Sequence, residues 1–473
     1  MTSTRASATV SNDHRRPPLG RNYHRVFIAT VISSLGDGVD AIGYPWLASA
    51  VTRNPILIAL IAVGQRLPWL VFTLPAGVIT DRVDRRKAIV LMDVIRGLIT
   101  AAVAVAVLGL GRGLPRPSEL HSVVGTRLGL YLTVLLASTL LGFAEVLREN
   151  SAQTIVPSIV STENLERANA RMYSAEMVSN TFAGPPLGSL MLSASFFLPF
   201  AVDAMSFFAA AGLVFLVAGE FRAERRPHVT ATADMGAGRD RRDTWKAELA
   251  EGFRWLWHHP VLRPMAIILG VMNAIDSMKF ATLVLYAQEV LRTTPLQFSM
   301  LMMGAAVGGV VGATLAPKIS ATIGSGPSLW LTLAAGAITP IPIGLSSSWV
   351  LVLVVFGFAT MLGILWNVVT VAFRQSIIPD HLLGRVNSVY RFFAWGMMPI
   401  GTALGGVIVA ITTPGIGRHD ALRLPWFAAS ALAIILAVYA VPRLTTTRLE
   451  TARALGIGRR TDEADNPRAV NEE

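Results

Sequence analysis

Gln153-Thr-Ile-Val-Pro157, followed by Leu165-Glu-Arg167-Ala-Asn169, recurs later in the chain as Gln375-Ser-Ile-Ile-Pro379, followed by Leu383-Gly-Arg385-Val-Asn387. Each copy closes one apolar run and leads into another that carries Gly and Pro. The first of these holds Gly184-Pro185-Pro186-Leu187-Gly188, and the second Pro399-Ile-Gly401 followed by Gly405-Gly406. Agreement in both order and spacing points to two homologous halves related by an axis along a membrane normal.

Working outward from the copies, the chain divides into apolar runs of the length, about 20 residues, that a helix needs to cross about 30 Å of hydrocarbon. The first half gives 26–50, 56–79, 88–110, 128–148, 172–194 and 196–218, and the second 264–290, 297–317, 327–346, 349–373, 384–411 and 422–442. The expectation is an all-α integral membrane protein with twelve transmembrane helices in two pseudo-symmetric six-helix bundles, 26–218 and 264–442. A polar tail at 1–25, a central loop at 219–263 and a second tail at 443–473 complete the division. Composition agrees, because 52% of the 473 residues are hydrophobic and only 15% are charged, which is a bilayer composition.

The net charge of +11 suggests nucleic acid at first sight. The bases, however, sit in short loops between apolar runs, and no solvated face gathers them beside aromatic groups, so no nucleic acid partner is expected. They fall instead on alternate loops: Arg15, Arg16, Arg21 and Arg25, then Arg82 to Lys87, the dense stretch from Arg222 to Arg263, and Arg443 to Arg460. The positive-inside rule then places both termini in the cytoplasm and the protein in the cell (inner) membrane. The leading residues lack an apolar core with a cleavage site, so no cleaved signal peptide is expected. Zero cysteines exclude disulfides, thiolate metal sites and cysteine nucleophiles. No phosphate loop is present, so an ion gradient rather than ATP is the expected energy source. His258-His259 lacks companions at metal-ligand spacing, and neither a metal nor a cofactor is expected. Glu248 to Trp257 reads as an amphipathic helix lying along the inner interface, aromatics toward lipid.

Between the second and third spans stands Gly77-Val-Ile-Thr-Asp81-Arg82-Val-Asp84-Arg85-Arg86-Lys87. Gly77 permits close helix approach, and an acid followed by bases can bridge a neighbouring helix terminus. This stretch resembles the loop signature of the major facilitator superfamily, Gly-x-x-x-Asp-Arg-x-Gly-Arg-Arg, departing from it at Asp84, where the family usually has Gly and where the turn is expected to be looser. Asn180-Thr-Phe-Ala-Gly184-Pro185-Pro186-Leu187-Gly188-Ser189 resembles the antiporter motif of exporters in that superfamily, with Asn180 and Ser189 in place of glycines. Ser33-Ser-Leu-Gly-Asp37-Gly38 and Gly252 to Pro260 are similar to the branch containing macrolide efflux and enterobactin export proteins. The resemblance implies the major facilitator fold, no enzyme activity, and a proton-driven efflux pump for a small-molecule substrate, with the first, fourth, seventh and tenth helices lining its cavity.

Ionisable groups deep in a membrane are costly and usually functional. Asp37 and Asp40 lie three apart on one face of the first span, and Asp276 and Lys279 hold the matching depth of the seventh. These are the candidate proton-coupling residues, with Asp37 preferred as carrier and Lys279 as the neutralising partner of Asp276 or Asp40. Glu145, Arg148 and Glu149, at one end of the fourth span, read as partners of the Asp81 to Arg86 loop, joined by Asp93 and Arg96 of the third. Asp203 and Glu176 read as packing residues. Tyr44, Trp366 and Asn367 are candidate cavity residues for an amphipathic cargo. Gly304, Gly308 and Gly312 form a small-residue stripe for close helix packing. Partners expected are a small molecule, protons and the bilayer, with the chain as a monomer. An importer or lipid-moving relative, and a non-transporting receptor or scaffold, stay open as alternatives.

Overall fold

A computed structural model describes residues 19–80, 83–117, 119–219, 221, 250–379 and 382–465; Asp81 and Arg82, and most of the central loop, lie outside them. The first half contains α1 (Gly20–Val51), α2 (Pro55–Val71), α3 (Thr73–Thr80), α4 (Arg85–Leu110), α5 (Leu128–Ile159), α6 (Leu165–Met177), α7 (Gly184–Ala194) and α8 (Phe197–Phe215). Next comes α9, over 250–258. The second half contains α10 (Leu262–Phe280), α11 (Leu283–Glu289), α12 (Pro295–Ile323), α13 (Ser325–Ile338), α14 (Pro340–Leu345), α15 (Trp349–Ile377), α16 (Leu383–Ile416), α17 (Arg418–Ala421) and α18 (Leu424–Ala440), and α19 (Thr446–Asp465) closes the chain.

Among the described residues, ten helical stretches are long and apolar enough to cross a bilayer. The two remaining spans are broken helices, and proline accounts for both breaks. In the second span, Asn54 caps α2 by accepting from the Ile56 N–H at 2.9 Å, with Pro55 in the first turn, where a missing donor costs nothing. Pro75 then cannot donate to the carbonyl four residues back, and the helix breaks at Phe72 between α2 and α3. In the fifth span the adjacent Pro185 and Pro186 remove two donors, and the preceding turn widens into a π-helix over Val178–Ala183. The fourth span runs past the expected 148 to Ile159, its polar last turns projecting beyond the apolar run. The tail expected after 443 also folds: α19 packs on α13 and α15, with Leu449 buried and Thr446 Oγ1 accepting from the Gly326 N–H at 3.2 Å.

Glycine sets the close helix contacts. A Cβ on Gly308 would lie 1.9 Å from the Gly357 carbonyl oxygen, so α12 and α15 touch backbone to backbone along the expected stripe. A Cβ on Gly406 would lie 2.6 Å from Ala59 Cβ, so α16 of the second half presses on α2 of the first.

At 1.5 Å per residue α1 is about 48 Å long, so Gly20 and Val51 stand on opposite faces of the molecule. On the far face, where α1 ends, one apolar core joins the halves: Trp46, Leu47 and Val51 pack with Leu285, Tyr286, Phe298 and Trp426. On the terminal face, where α1 begins, the core is split. Tyr23, Ile89, Ile155 and Val214 cluster within the first half, and Leu262, Met265, Phe373 and Leu444 within the second.

Polar contacts follow the same division. On the far face Arg53 binds the Glu289 carboxylate and Gln288 Oε1, and Arg418 donates to Glu289 Oε2 at 2.6 Å and to the Arg53 carbonyl at 2.7 Å. Gln288 Nε2 donates to Ser49 Oγ at 2.9 Å, and Ser189 Oγ donates to the Pro295 carbonyl at 3.0 Å. On the terminal face Arg85 donates to the Thr154 carbonyl at 3.0 Å and Arg86 to the Val217 carbonyl at 2.7 Å, both inside the first half. Arg385 pairs with Glu251 at 2.5 Å inside the second.

Candidate functional site

Three residues on α1, Asp37, Asp40 and Tyr44, recur at the three- and four-residue spacing that places side chains on one helix face. They line a cavity of about 590 Å³ together with Gln65, Arg66 and Trp69 of α2, Arg96 of α4, Leu141 and Glu145 of α5, and Trp395 and Met398 of α16. A second lobe of about 360 Å³ shares Trp69, Glu145 and Trp395 and continues past Glu149, Gln153, Glu176 and Arg391. In these two lobes every wall from the second half belongs to α16. The expected contributions of the seventh and tenth spans are not made there. Trp69 and Trp395 meet across the halves with ring centroids 5.2 Å apart.

The antiporter-like motif sits directly behind this wall. A Cβ on Gly184 would lie 2.5 Å from Gly38 Cα, and one on Gly188 would lie 2.6 Å from the Val39 carbonyl. Gly184 and Gly188 thus bring the α7 backbone against α1 between Asp37 and Asp40, and Pro185 stands in the first turn of α7, where a missing donor costs little. Ser189, in place of a motif glycine, supplies the bond to Pro295 across the halves.

The charges of the wall alternate in sign. Arg96 donates to Asp37 Oδ1 at 2.5 Å and lies 4.0 Å from Asp93 Oδ1; Arg148 donates to that same Asp93 oxygen at 3.1 Å and lies 3.9 Å from Glu149. The Arg96 guanidinium also stacks 4.0 Å over the Phe207 ring. Asp93 and Arg96 are buried, and a charge taken out of water persists only when paired and hydrogen-bonded, which this relay across α1, α4 and α5 achieves. Four of these residues, Asp93, Arg96, Arg148 and Glu149, were expected with Glu145 to serve the loop before α4, and Asp37 was expected as a proton carrier. The described part of that loop bonds elsewhere. Asp84 caps α4, accepting from the Lys87 and Phe221 N–H groups, each at 3.0 Å, while Arg85 and Arg86 hold carbonyls of α5 and of the end of the eighth helix. The fourth span is longer than expected, so Glu145 and Arg148 lie well inside it. Asp84, where a turn glycine is usual, is a helix cap rather than a looser turn. Burial pushes its carboxyl up, but the two N–H donors and the Arg86 and Lys87 charges outweigh that and hold it below the ordinary value of 3.8.

Three further expectations need correction. Lys279 pairs with Asp276 at 2.6 Å, the first of its two expected partners, and lies 5.9 Å from the Trp426 ring, but neither residue lines the two lobes, where the resemblance had put them. Trp366 is buried in the core of the second half, and Asn367, next along the same helix, is outside both linings. Asp203 and Glu176, expected to pack, do more: Glu176 lines the second lobe, and Asp203 faces Asp40 across the α1–α8 contact. Sequence reasoning missed Gln65, Arg66, Trp69 and Trp395 altogether. The signal available was the polar pair Gln65-Arg66 inside an otherwise apolar run. Among the described residues no group of three or more His, Asp or Glu could hold a metal ion.

Residues 26–402 match the Major Facilitator Superfamily. The chain belongs to that superfamily. It is a multi-pass membrane transporter, similar over 426 residues, at 23% identity, to the multidrug efflux pump Tap of Mycolicibacterium fortuitum, with 87% of this chain and 94% of that one covered. It is similar at 25% identity over 395 residues to the enterobactin exporter EntS of Escherichia coli O1:K1 / APEC, with 83% and 86% covered. Among solved structures, a bacterial homologue of the iron transporter ferroportin in its inward-facing state superposes with a TM-score of 0.65 at 14% identity, covering 89% of this chain and 99% of that one. The major facilitator fold is thereby established, and the ten long apolar helices together with the two broken ones are consistent with the twelve spans that the apolar runs led one to expect.

Proposed function

We propose that this major facilitator transporter exports a small amphipathic cation from the cell across the inner membrane, driven by protons, and that it does so by alternating access with both termini in the cytoplasm. The observation that carries the reading is the wall of the cavity. Five acids, Asp37, Asp40, Glu145, Glu149 and Glu176, face three bases, Arg66, Arg96 and Arg391, and the aromatic surfaces of Tyr44, Trp69, Phe207, Phe392 and Trp395 stand among them. Surplus acid attracts a cation, and aromatic rings take up both its charge and its apolar body.

The split core on the terminal face and the joined core on the far face support a cavity that communicates with the terminal side in this conformation. The distribution of arginines supports a cytoplasmic position for that side. Relatives named for multidrug efflux and for enterobactin export favour the outward direction. Efflux then requires the far-face contacts to part while the terminal face closes.

Everted membrane vesicles from cells producing the protein test the reading. Respiring vesicles are expected to accumulate ethidium, a cationic amphipathic dye, and to release it when a protonophore is added. Uptake indifferent to the protonophore, or seen only in right-side-out vesicles, would overturn it.

A further inference from the structure

Asp37 and Asp40 share a helix face but not an environment. Asp37 is partly open to the cavity and bound to Arg96 at 2.5 Å, so its charge is already answered. Asp40 also borders the cavity, but its carboxyl reaches α8, where it lies within hydrogen-bonding reach of Asp203. Asp203 is fully buried, and the one hydroxyl proton of Ser206 is shared between the Asp203 backbone carbonyl at 2.8 Å and Asp203 Oδ1 at 3.1 Å. Asp40 Oδ1 and Asp203 Oδ2 are sealed from solvent, and neither has a donor among the side chains and backbone around it. The fold makes room for this meeting, since a Cβ on Gly36 would lie 2.1 Å from Asp203 Oδ1.

Two carboxylates are acceptors only, so a buried pair that face each other without a donor repel unless a proton stands between them. The surrounding groups do not remove that need. On α1 these are Asp37 and Tyr44, the latter with its own hydroxyl unpartnered; on α4, Arg96, committed to Asp37; on α5, Glu145; on α2, Arg66, across the cavity. The stretch before α7 contributes only the neutral Asn180. We infer that Asp40 and Asp203 bind one exchangeable proton between them, in a site separate from the ion-paired Asp37. The pair lies at the back of the cavity wall, and α7 is packed against the same turn of α1, so any shift of α1 on α8 changes the separation of the two carboxyls. The assignment of this proton to the transport cycle rests on the proton-driven efflux reading; its presence in the pair does not.

Infrared spectroscopy of the purified protein reads the proton directly. At neutral pH the wild type is expected to show the C=O stretch of a protonated carboxylic acid, lost in Asp40→Asn and in Asp203→Asn and kept in Asp37→Asn. Absence of the band in the wild type, or its survival in both pair variants, overturns the inference. Should Asp203→Asn fail to fold, the wild-type spectrum and Asp40→Asn, altered on the cavity side, still decide. In everted vesicles both pair variants are expected to lose proton-driven ethidium uptake, and Asp203→Asn, whose side chain is outside both cavity linings, is expected to keep ethidium exchange down its own gradient. Proton-driven uptake undiminished in both variants overturns the role in transport. A band that behaves as expected in a protein without proton-driven uptake overturns the efflux reading and leaves the shared proton in place.

Discussion

The two faces of the molecule are built from similar helices yet are bonded in opposite ways. On the far face, ion pairs, hydrogen bonds and apolar side chains run between the halves; on the terminal face the corresponding contacts run within each half. Under the alternating access proposed above, one seam is exchanged for the other, and the bonds that hold this conformation are then those of the far seam. The terminal contacts serve each bundle as a body. Substitutions on the two faces should therefore differ in kind as well as in size.

The largest effect is expected at Glu289, whose carboxylate answers both Arg53 and Arg418. Glu289→Gln leaves two cations together at a largely enclosed seam, and removing one partner of a buried pair costs about 3 kcal/mol or more. The far seam should then open about a hundred-fold more often. The chain has no cysteine, so Val51→Cys gives a single probe, and its labelling by an impermeant thiol reagent should accelerate accordingly. An unchanged labelling rate would remove the latch from the comparison. Gly406→Leu comes next. Overpacking costs about 1–3 kcal/mol, and here it pushes α16 from α2, so labelling at Val51→Cys should rise again. Ser189→Ala removes a hydroxyl whose one proton is shared between the Pro185 carbonyl of its own helix and the Pro295 carbonyl across the seam, at most about 1 kcal/mol, and should raise labelling by no more than about five-fold.

Asp84 sharpens the contrast from the terminal side. Asp84→Ala should lower thermal stability by about 1 kcal/mol, the usual value of a lost helix cap, and leave Val51→Cys labelling unchanged. The carboxyl is held below its ordinary value in the folded protein, so its stabilisation is present above 3.8 and is lost as pH falls through the depressed folded value. The melting temperatures of wild type and Asp84→Asn should thus differ at neutral pH and converge in acid. A gap that persists in acid would mean that charge is not what Asp84 contributes.

Much of this organisation was legible in the sequence because it depends on averages over many residues. Span length, the repeat and the glycines of the fifth and eighth spans survive small errors in boundary. Single side chains do not. Trp366 lies on a helix expected to face the cavity but is rotated into its own bundle, and a shift of one residue along a helix turns a side chain by about 100°. Asp203 was visible as a buried acid, but only the packing of α8 on α1 brings it to Asp40. Arg148 and Glu145 were assigned to the loop because the fourth span was ended too early; its polar final turns, Glu149 to Thr154, continue as helix beyond the apolar run. Pro75 foretold the break in the second span only to a reader asking which carbonyl it leaves without a donor.

The joined apolar core of the far face has a thermal consequence. Parting it exposes apolar surface such as Trp46, Tyr286 and Phe298 to water entering from that side, and hydration of such surface raises heat capacity by about 0.45 cal/K/mol for each Å². The balance between the two conformations is then a curved function of temperature, with the far seam most secure at an intermediate warmth and loosened by cold as well as by heat.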